Sequence, residues 1–421
     1  MLSKNKRADF YFRPMISLKP FCALRPPRDK AYLVATRSYL TYTDAELDEK
    51  LNNNPFTFLH IINPKEGRSL NYGQQRYQMV KEAFKQRLEE GVLKQDENES
   101  YYLYRQVKDG NEYLGLIAAV AVKDYNEGRI KKHENTLTAR EEMFTDYLQI
   151  TGFNAEPVLL TYKDDMRLDT LFVEYISKRA EYEFTSTDRV LHQLWLIDKV
   201  EDCQKITDVF KDQDSLYIAD GHHRCASSAL LAERAGGEGT KAHNFFMALL
   251  IGEEQMKVYD FNRLVKNTTD KKPAQLLAEL ENNFLIEPKG KRTFKPEKLH
   301  EMGMYLAGRW YKLVPKTGSF DPGNPVSHLD ADILSHNALA PVLEIGDLKS
   351  DNRVRFVPGT EGLEFLQRAV DNGTFDVAFA LHPVTVDQIK RVSDAGLTMP
   401  PKSTYVEPKL RSGLIVYKIS E

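Results

Sequence analysis

Cysteine is almost missing: Cys22, Cys203 and Cys225 are the three thiols in 421 residues. So few argue against a disulfide framework and suit a reducing cytoplasm. No apolar run approaches the ~18 residues that a membrane span needs. No apolar core follows the Lys- and Arg-bearing N-terminus, so a secretory signal is not expected. A large excess of charge is lacking too. The net charge of −3 and the pI near 6.4 leave no electrostatic footprint for nucleic acid or an anionic membrane. The most basic run, Lys289 to Lys295, reads as a solvated loop. There is no internal repeat, no low-complexity tract, no Walker sequence and no protein-kinase motif set.

What remains is an ordinary globular composition, 42% hydrophobic and 28% charged. The length suits two domains. Residues 1–14 read as an appendage, with Met15 a candidate start. Residues 15–270 read as an α/β core and 271–421 as a C-terminal α+β region with a closing loop. The expected fold class is α/β, of the mixed α+β kind.

Thr43-Asp-Ala-Glu46 is a capping-box pattern that opens a helix ending near Asn52–Pro55. Thr57 to Ile62 reads as a buried strand, with His60 either lining a site or satisfied in the core. A helix from about Tyr72 places Tyr77, Val80, Phe84 and Leu88 on one face, with Gly91 as the stop. Tyr101–Val107 and Tyr113–Val122 around Lys108–Asn111 read as a hairpin. A helix follows from about Thr138; one plain alternative for His133–Thr136 makes Thr136 or Thr138 its cap with the rest exposed. Val158–Tyr162 and Leu191–Ile197 read as strands, with His192 and Trp195 edging a pocket or simply packing. A helix carrying Val200, Cys203, Ile206 and Phe210 comes next. Phe245–Ile251 reads as a strand, and Val258–Val265 as its continuation in the same sheet. Arg263 is a second candidate phosphate contact or an exposed structural arginine. From Lys271 to Val314 the pattern suggests an inserted or separate α+β module. The stretch to the C-terminus then carries a helix near Glu361–Val370, a strand at Phe375–Leu381 and a helix near Val386–Val392. Met399-Pro-Pro-Lys-Ser-Thr404 is a proline-stiffened loop able to close over a charged substrate, or a plain connector.

The densest chemistry lies at Leu216-Tyr-Ile-Ala-Asp-Gly-His-His-Arg-Cys225. Leu216–Ile218 reads as a buried strand, and Cys225–Ala235 as a helix closed by Gly236-Gly237. Strand, glycine turn and helix start form a geometry that aims backbone N–H groups and a positive dipole end at an anion. Arg224 adds a planar five-donor fork, and His222 and His223 exchange protons near neutral pH. The turn is therefore expected to hold a phosphoryl group; an ordinary polar loop is the plainer alternative. His133-Glu134-Asn135-Thr136 is the second polar cluster. It lacks the spaced second histidine of a helical zinc motif. Glu134 is expected instead as a general base or metal-bridging carboxylate facing the anion turn.

The Asp220–Arg224 turn, His133–Thr136, Asn54-Pro-Phe56 and Met399–Thr404 together resemble a bacterial domain-of-unknown-function family, number one thousand and fifteen in that series. That resemblance runs from about Met15 to the C-terminus. The turn alone is similar to the anion-binding turn of the ParB/sulfiredoxin-like superfamily, whose free-serine kinases carry a similar Asp-Gly-His-His-Arg. The resemblance implies a ParB/sulfiredoxin-like nucleotide-binding core with additional α+β modules. It implies that Gly221, His222, His223 and Arg224 hold nucleotide phosphates, and that Asp220 acts as catalytic carboxylate or metal ligand. Glu134 would be the base and second metal carboxylate, His133 and His222 would take part in catalysis, and Asn135, Thr136, Lys402 and Ser403 would contact the nucleotide. The cofactors implied are ATP or ADP with Mg2+. The leading acceptor is free L-serine, giving O-phospho-L-serine, in a cytoplasmic enzyme that binds neither nucleic acid nor membrane.

Phosphoryl transfer is chemically reasonable for such a set, because it needs mainly positioning and charge neutralisation. A sulfiredoxin-like reductase would need its thiolate where His222 stands, so that reading is disfavoured. A metal-dependent hydrolase built from His133, Glu134, His222 and His223 is the enzymatic alternative. A non-catalytic nucleotide-binding regulator is the alternative from the binding class.

Overall fold

The computed structural model describes residues 15–64, 67, 73–237 and 239–420, so the expected appendage lies outside the described residues. The chain is mixed α/β and divides into two compact units. One gathers the described residues through Ile130, then Leu137–Gly252 and the C-terminal segment from Leu410. The other holds Lys131–Thr136 and Glu253–Lys409. Among the described residues no helix is long and apolar enough to cross a membrane.

In the first unit, helix α1 (Asp44–Asn53) begins at the expected capping box. Thr43 Oγ1 accepts the Glu46 N–H at 3.3 Å, and Glu46 Oε2 accepts the Thr43 N–H at 2.8 Å. Helix α2 (Gln74–Glu89) buries Tyr77, Val80 and Phe84 as the periodicity requires. Between them the expected strand at Thr57–Ile62 is instead one helical turn, Leu59–Ile62. A short apolar run looks the same whether strand or buried helix, and here local side-chain acceptors decide. Asn54 Oδ1 takes the Phe56 N–H at 3.0 Å and Thr57 Oγ1 takes the Leu59 N–H at 3.4 Å.

The hairpin forms as expected from β1 (Tyr101–Lys108) and β2 (Asn111–Ala121), turning at Asp109 and Gly110. Helix α3 (Thr138–Thr151) has Leu137 at its N-cap with no side-chain cap, so the alternative of a threonine cap at Thr136 or Thr138 is not what forms. Then come β3 (Val158–Tyr162), helix α4 (Met166–Ile176), β4 (Tyr182–Thr185) and β5 (Leu191–Ile197). Helix α5 (Val200–Lys211), β6 (Leu216–Asp220), helix α6 (His222–Arg234) and β7 (Phe245–Gly252) complete the layer. The main run of the sheet is β6-β3-β7-β2-β1-β5-β4. Only β3 and β7 in that run pair in parallel. One face buries Leu103, Leu116, Leu160, Trp195, Ile218 and Phe246 against Leu168 and Phe172 of α4, Phe210 of α5 and Cys225 of α6. That packing fixes the end of β6 and the start of α6. On another edge the C-terminal segment returns: Arg411 Nη2 donates to Asp188 Oδ1 at 2.7 Å, and Tyr417 pairs with Asn154.

In the second unit, β8 (Phe261–Val265), β9 (Phe284–Gly290), β10 (Met302–Leu306), β11 (Arg309–Pro315), β12 (Val354–Pro358) and β13 (Val377–Ala380) form an antiparallel sheet. Its order is β9-β11-β10-β13-β8-β12. Val258–Val265 therefore does not extend the first sheet. The run splits at Asp260: Lys257–Tyr259 pairs with Tyr405–Glu407, while β8 sits between β12 and β13. The hairpin β10–β11 shares this sheet, with β10 paired to β13.

Candidate functional site

Strand β6 runs two residues longer than its apolar core, through Asp220. Against β3 its register passes from Ile218↔Leu160 to Asp220↔Leu159, so Ala219 is an extra residue in a bulge. A bulge turns the side chain that follows it, and here that side chain is Asp220. Gly221 then takes φ +101° and ψ +30°, in the left-handed region, and serves as the N-cap of α6. The helix starts at His222, three residues earlier than its apolar periodicity indicates. The two histidines and the arginine thus stand in its first turn, where the helix dipole is positive.

Arg224 is the pivot of the turn. Its Nη1 reaches Glu156 Oε1 at 2.7 Å and donates to the Pro157 carbonyl at 2.9 Å, and its Nη2 reaches Asp220 Oδ2 at 3.0 Å. Burial opposes its charge, but Glu156 and Asp220 outweigh that and push its pKa up. The guanidinium therefore ties the end of β6 to the start of β3. Glu156 is a partner that sequence reasoning missed; an arginine needing a carboxylate was the one available signal, and it does not say which carboxylate.

His223 is a neutral acceptor. Its Nε2 lies 3.2 Å from the Leu137 N–H, a group that can only donate, so Nε2 carries no proton. Burial first, then the nearby Arg140 charge, hold its pKa below the usual value, with Glu141 opposing. Ser227 Oγ donates to the His223 carbonyl at 2.6 Å, and Ser228 Oγ to that of Arg224 at 2.9 Å. Thr145 Oγ1 of α3 adds a bond to the Ser227 carbonyl at 3.2 Å. His222 is buried in the same turn. Cys225 is fully buried and its thiol is pushed up by that burial, so it offers no reactive thiolate beside the turn.

The other expected residues lie in the second unit. His133 is buried, Glu134 and Thr136 are half-buried, and Asn135 is exposed. The Met399 N–H donates to the His133 carbonyl at 2.9 Å, so two of the motifs meet along the backbone. Asn135, Asp332, His336, Met399 and Pro400 line a cleft of about 320 Å³. Lys402 holds φ +55° with its Nζ 5.7 Å from the Phe261 ring centroid, and buried Ser403 donates from Oγ to the Pro400 carbonyl at 2.7 Å. Arg263, expected at a phosphate or on the surface, is neither. It lies inside the second sheet at 1% exposure, with its guanidinium 4.6 Å from the Phe356 centroid and burial lowering its pKa to about 9.

Among known families, the one described as Protein of unknown function (DUF1015) matches residues 18–332. No curated protein matches. Three solved structures show low similarity. A free serine kinase in complex with AMP is 13% identical, with a TM-score of 0.33 over 72% of this chain and 91% of that one. SbnI from Staphylococcus aureus, with a C-terminal truncation, is 13% identical, with a TM-score of 0.37 over 69% and 82%. A conserved hypothetical protein from Pyrococcus furiosus is 15% identical, with a TM-score of 0.33 over 71% and 95%.

Proposed function

The chain belongs to this DUF1015 family, and we propose that it is a cytoplasmic phosphotransferase moving a phosphoryl group from ATP or ADP to a small hydroxyl substrate. L-serine, giving O-phospho-L-serine, is the first acceptor to test. One observation carries the reading: Gly221 at positive φ bends β6 into α6, so that a carboxylate and the positive end of a 13-residue helix converge. In this reading the amides of the first turn and the donors of His222, His223 and Arg224 bind phosphate oxygens, at a turn that Gly221 shapes. Asp220 holds the Mg2+ that partly neutralises the nucleotide. Arg224, already anchored by Glu156, keeps Asp220 aimed and the turn closed.

Glu134 is the proposed base and second metal carboxylate, with His133 as its neighbour in the proton path. Leu137, three positions further along the chain, donates its N–H to His223 Nε2. A carboxylate accepting the acceptor's hydroxyl proton while backbone dipoles stabilise the transferring group is the minimum such a reaction needs.

The test is incubation with ATP or ADP, Mg2+ and a pool of amino acids, with products read by mass spectrometry. Arg224→Ala is expected to abolish nucleotide binding. Glu134→Ala is expected to keep binding and lose turnover; full activity in that variant removes Glu134 as the base. Nucleotide binding without a phosphorylated product from any hydroxyl compound would leave a regulator in place of the enzyme.

A further inference from the structure

A separate cluster in the second unit is formed by His300, His328 and Asp330. The His300 Nε2 and His328 Nε2 atoms are 3.3 Å apart, and His300 Nδ1 lies 3.0 Å from Asp330 Oδ1. Asp330 is buried, whereas both imidazoles are half-buried and so within reach of solvent ions. The ring nitrogens are set by the backbone. The His300 N–H donates to Asp330 Oδ1 at 3.1 Å, and His300 sits at φ +65°, a left-handed conformation rare outside glycine. On the other side, Asn324 Oδ1 accepts the Val326 N–H at 2.9 Å and the Asn324 carbonyl accepts the His328 N–H at 3.1 Å. Phe320 packs against both rings, with centroids 4.9 and 6.0 Å away.

We propose that His300 and His328 form a zinc(II) site, with water in the remaining coordination positions and Asp330 as the carboxylate that orients His300. Two imidazole nitrogens about 2.0–2.1 Å from a tetrahedral ion stand roughly 3.3–3.4 Å apart. The observed 3.3 Å matches that spacing. The His300 Nδ1–H bond to Asp330 places the proton on Nδ1 and leaves Nε2 for the ion, the usual carboxylate–histidine–metal arrangement. Zinc here would pin the Asn324–Asp330 segment to the turn at His300, in a chain whose thiols form no disulfide. This site is independent of the nucleotide reading.

The experiment titrates the chelator-treated full chain with Zn2+ by calorimetry, and with Co2+ by visible absorption. The expected result is a 1:1 component in the micromolar range, with Co2+ bands of an imidazole site. His328→Gln and His300→Gln should each remove that component. Asp330→Asn should weaken it by about 10–100-fold while keeping the stoichiometry. Circular dichroism checks folding, and if His300→Gln misfolds, His328→Gln alone decides. Absence of this component in the wild-type chain, or its full retention in His328→Gln, overturns the proposal.

Discussion

Substituting Gly221 by alanine tests whether Arg224 is pinned as its partners imply. Two penalties add. The first is backbone strain, because an L-residue in the left-handed region costs about 1–2 kcal/mol. The second is a collision: an ideal Cβ on Gly221 would lie 3.0 Å from Arg224 Nε and 3.1 Å from its Nη2. Arg224 cannot yield freely, since Glu156, Asp220 and the Pro157 carbonyl all hold it. Those partners are partly solvated, so the disturbance is worth about 1 kcal/mol rather than a buried pair's several. Gly221→Ala is therefore expected to destabilise the first unit by about 2–3 kcal/mol. Gly110 supplies the control: it has φ +77° with nothing within 4 Å of its Cβ position, so Gly110→Ala should cost only the strain, about 1–2 kcal/mol. The two tryptophans fall one in each unit, Trp195 in the first and Trp310 in the second. Urea unfolding followed by fluorescence in a Trp310→Phe background thus reports the first unit alone. In an Arg224→Ala background the Gly221→Ala penalty should fall to the Gly110 value. If Gly221→Ala costs no more than Gly110→Ala in the native background, the pinned guanidinium is refuted.

Two further expectations follow from the first unit. His192 is buried, with Nδ1 2.7 Å from the Tyr104 hydroxyl, and burial, then the Arg411 charge, lower its pKa to about 3. Between pH 6.5 and about 3 the unfolded chain binds a proton the folded one does not, so stability falls as pH drops through that window. The loss from pH 6.5 to 4.5 should be about 2–3 kcal/mol; His192→Gln should flatten it, and an unchanged slope in urea midpoints would refute the assignment. Cys225 should resist thiol reagents in the folded protein while half-buried Cys22 and Cys203 react slowly; peptide mapping that finds Cys225 labelled as fast as Cys22 would count against its burial.

Much of the fold was legible because burial writes itself into periodicity. Val158–Tyr162 and Leu191–Ile197 read as strands and are strands over those same residues. The hairpin Asp-Gly turn and the Thr43 capping box were legible because each is local chemistry. What escaped was non-local. Nothing local distinguishes Leu59–Ile62 as a helix from a buried strand, and nothing says that Phe261–Val265 leaves one sheet for another. At the site, residue types and Gly221 were readable, but the bulge at Ala219 depends on register with β3, and the grip of Glu156 on Arg224 crosses 68 positions of chain. Arg263 shows the converse: a charged side chain read as surface or site is enclosed by a sheet whose strands come from distant segments.

The return of the chain to the first unit after Lys409 has a consequence for synthesis. Arg411, Val416 and Tyr417 contact Asp188, Leu24 and Asn154, partners translated hundreds of residues earlier. On the ribosome the second unit is therefore fully emerged before the first is sealed, and a nascent chain stalled near Lys409 would display an unfastened edge beside Leu24. Removing Arg411, Val416 and Tyr417 would consequently take these contacts from the first unit.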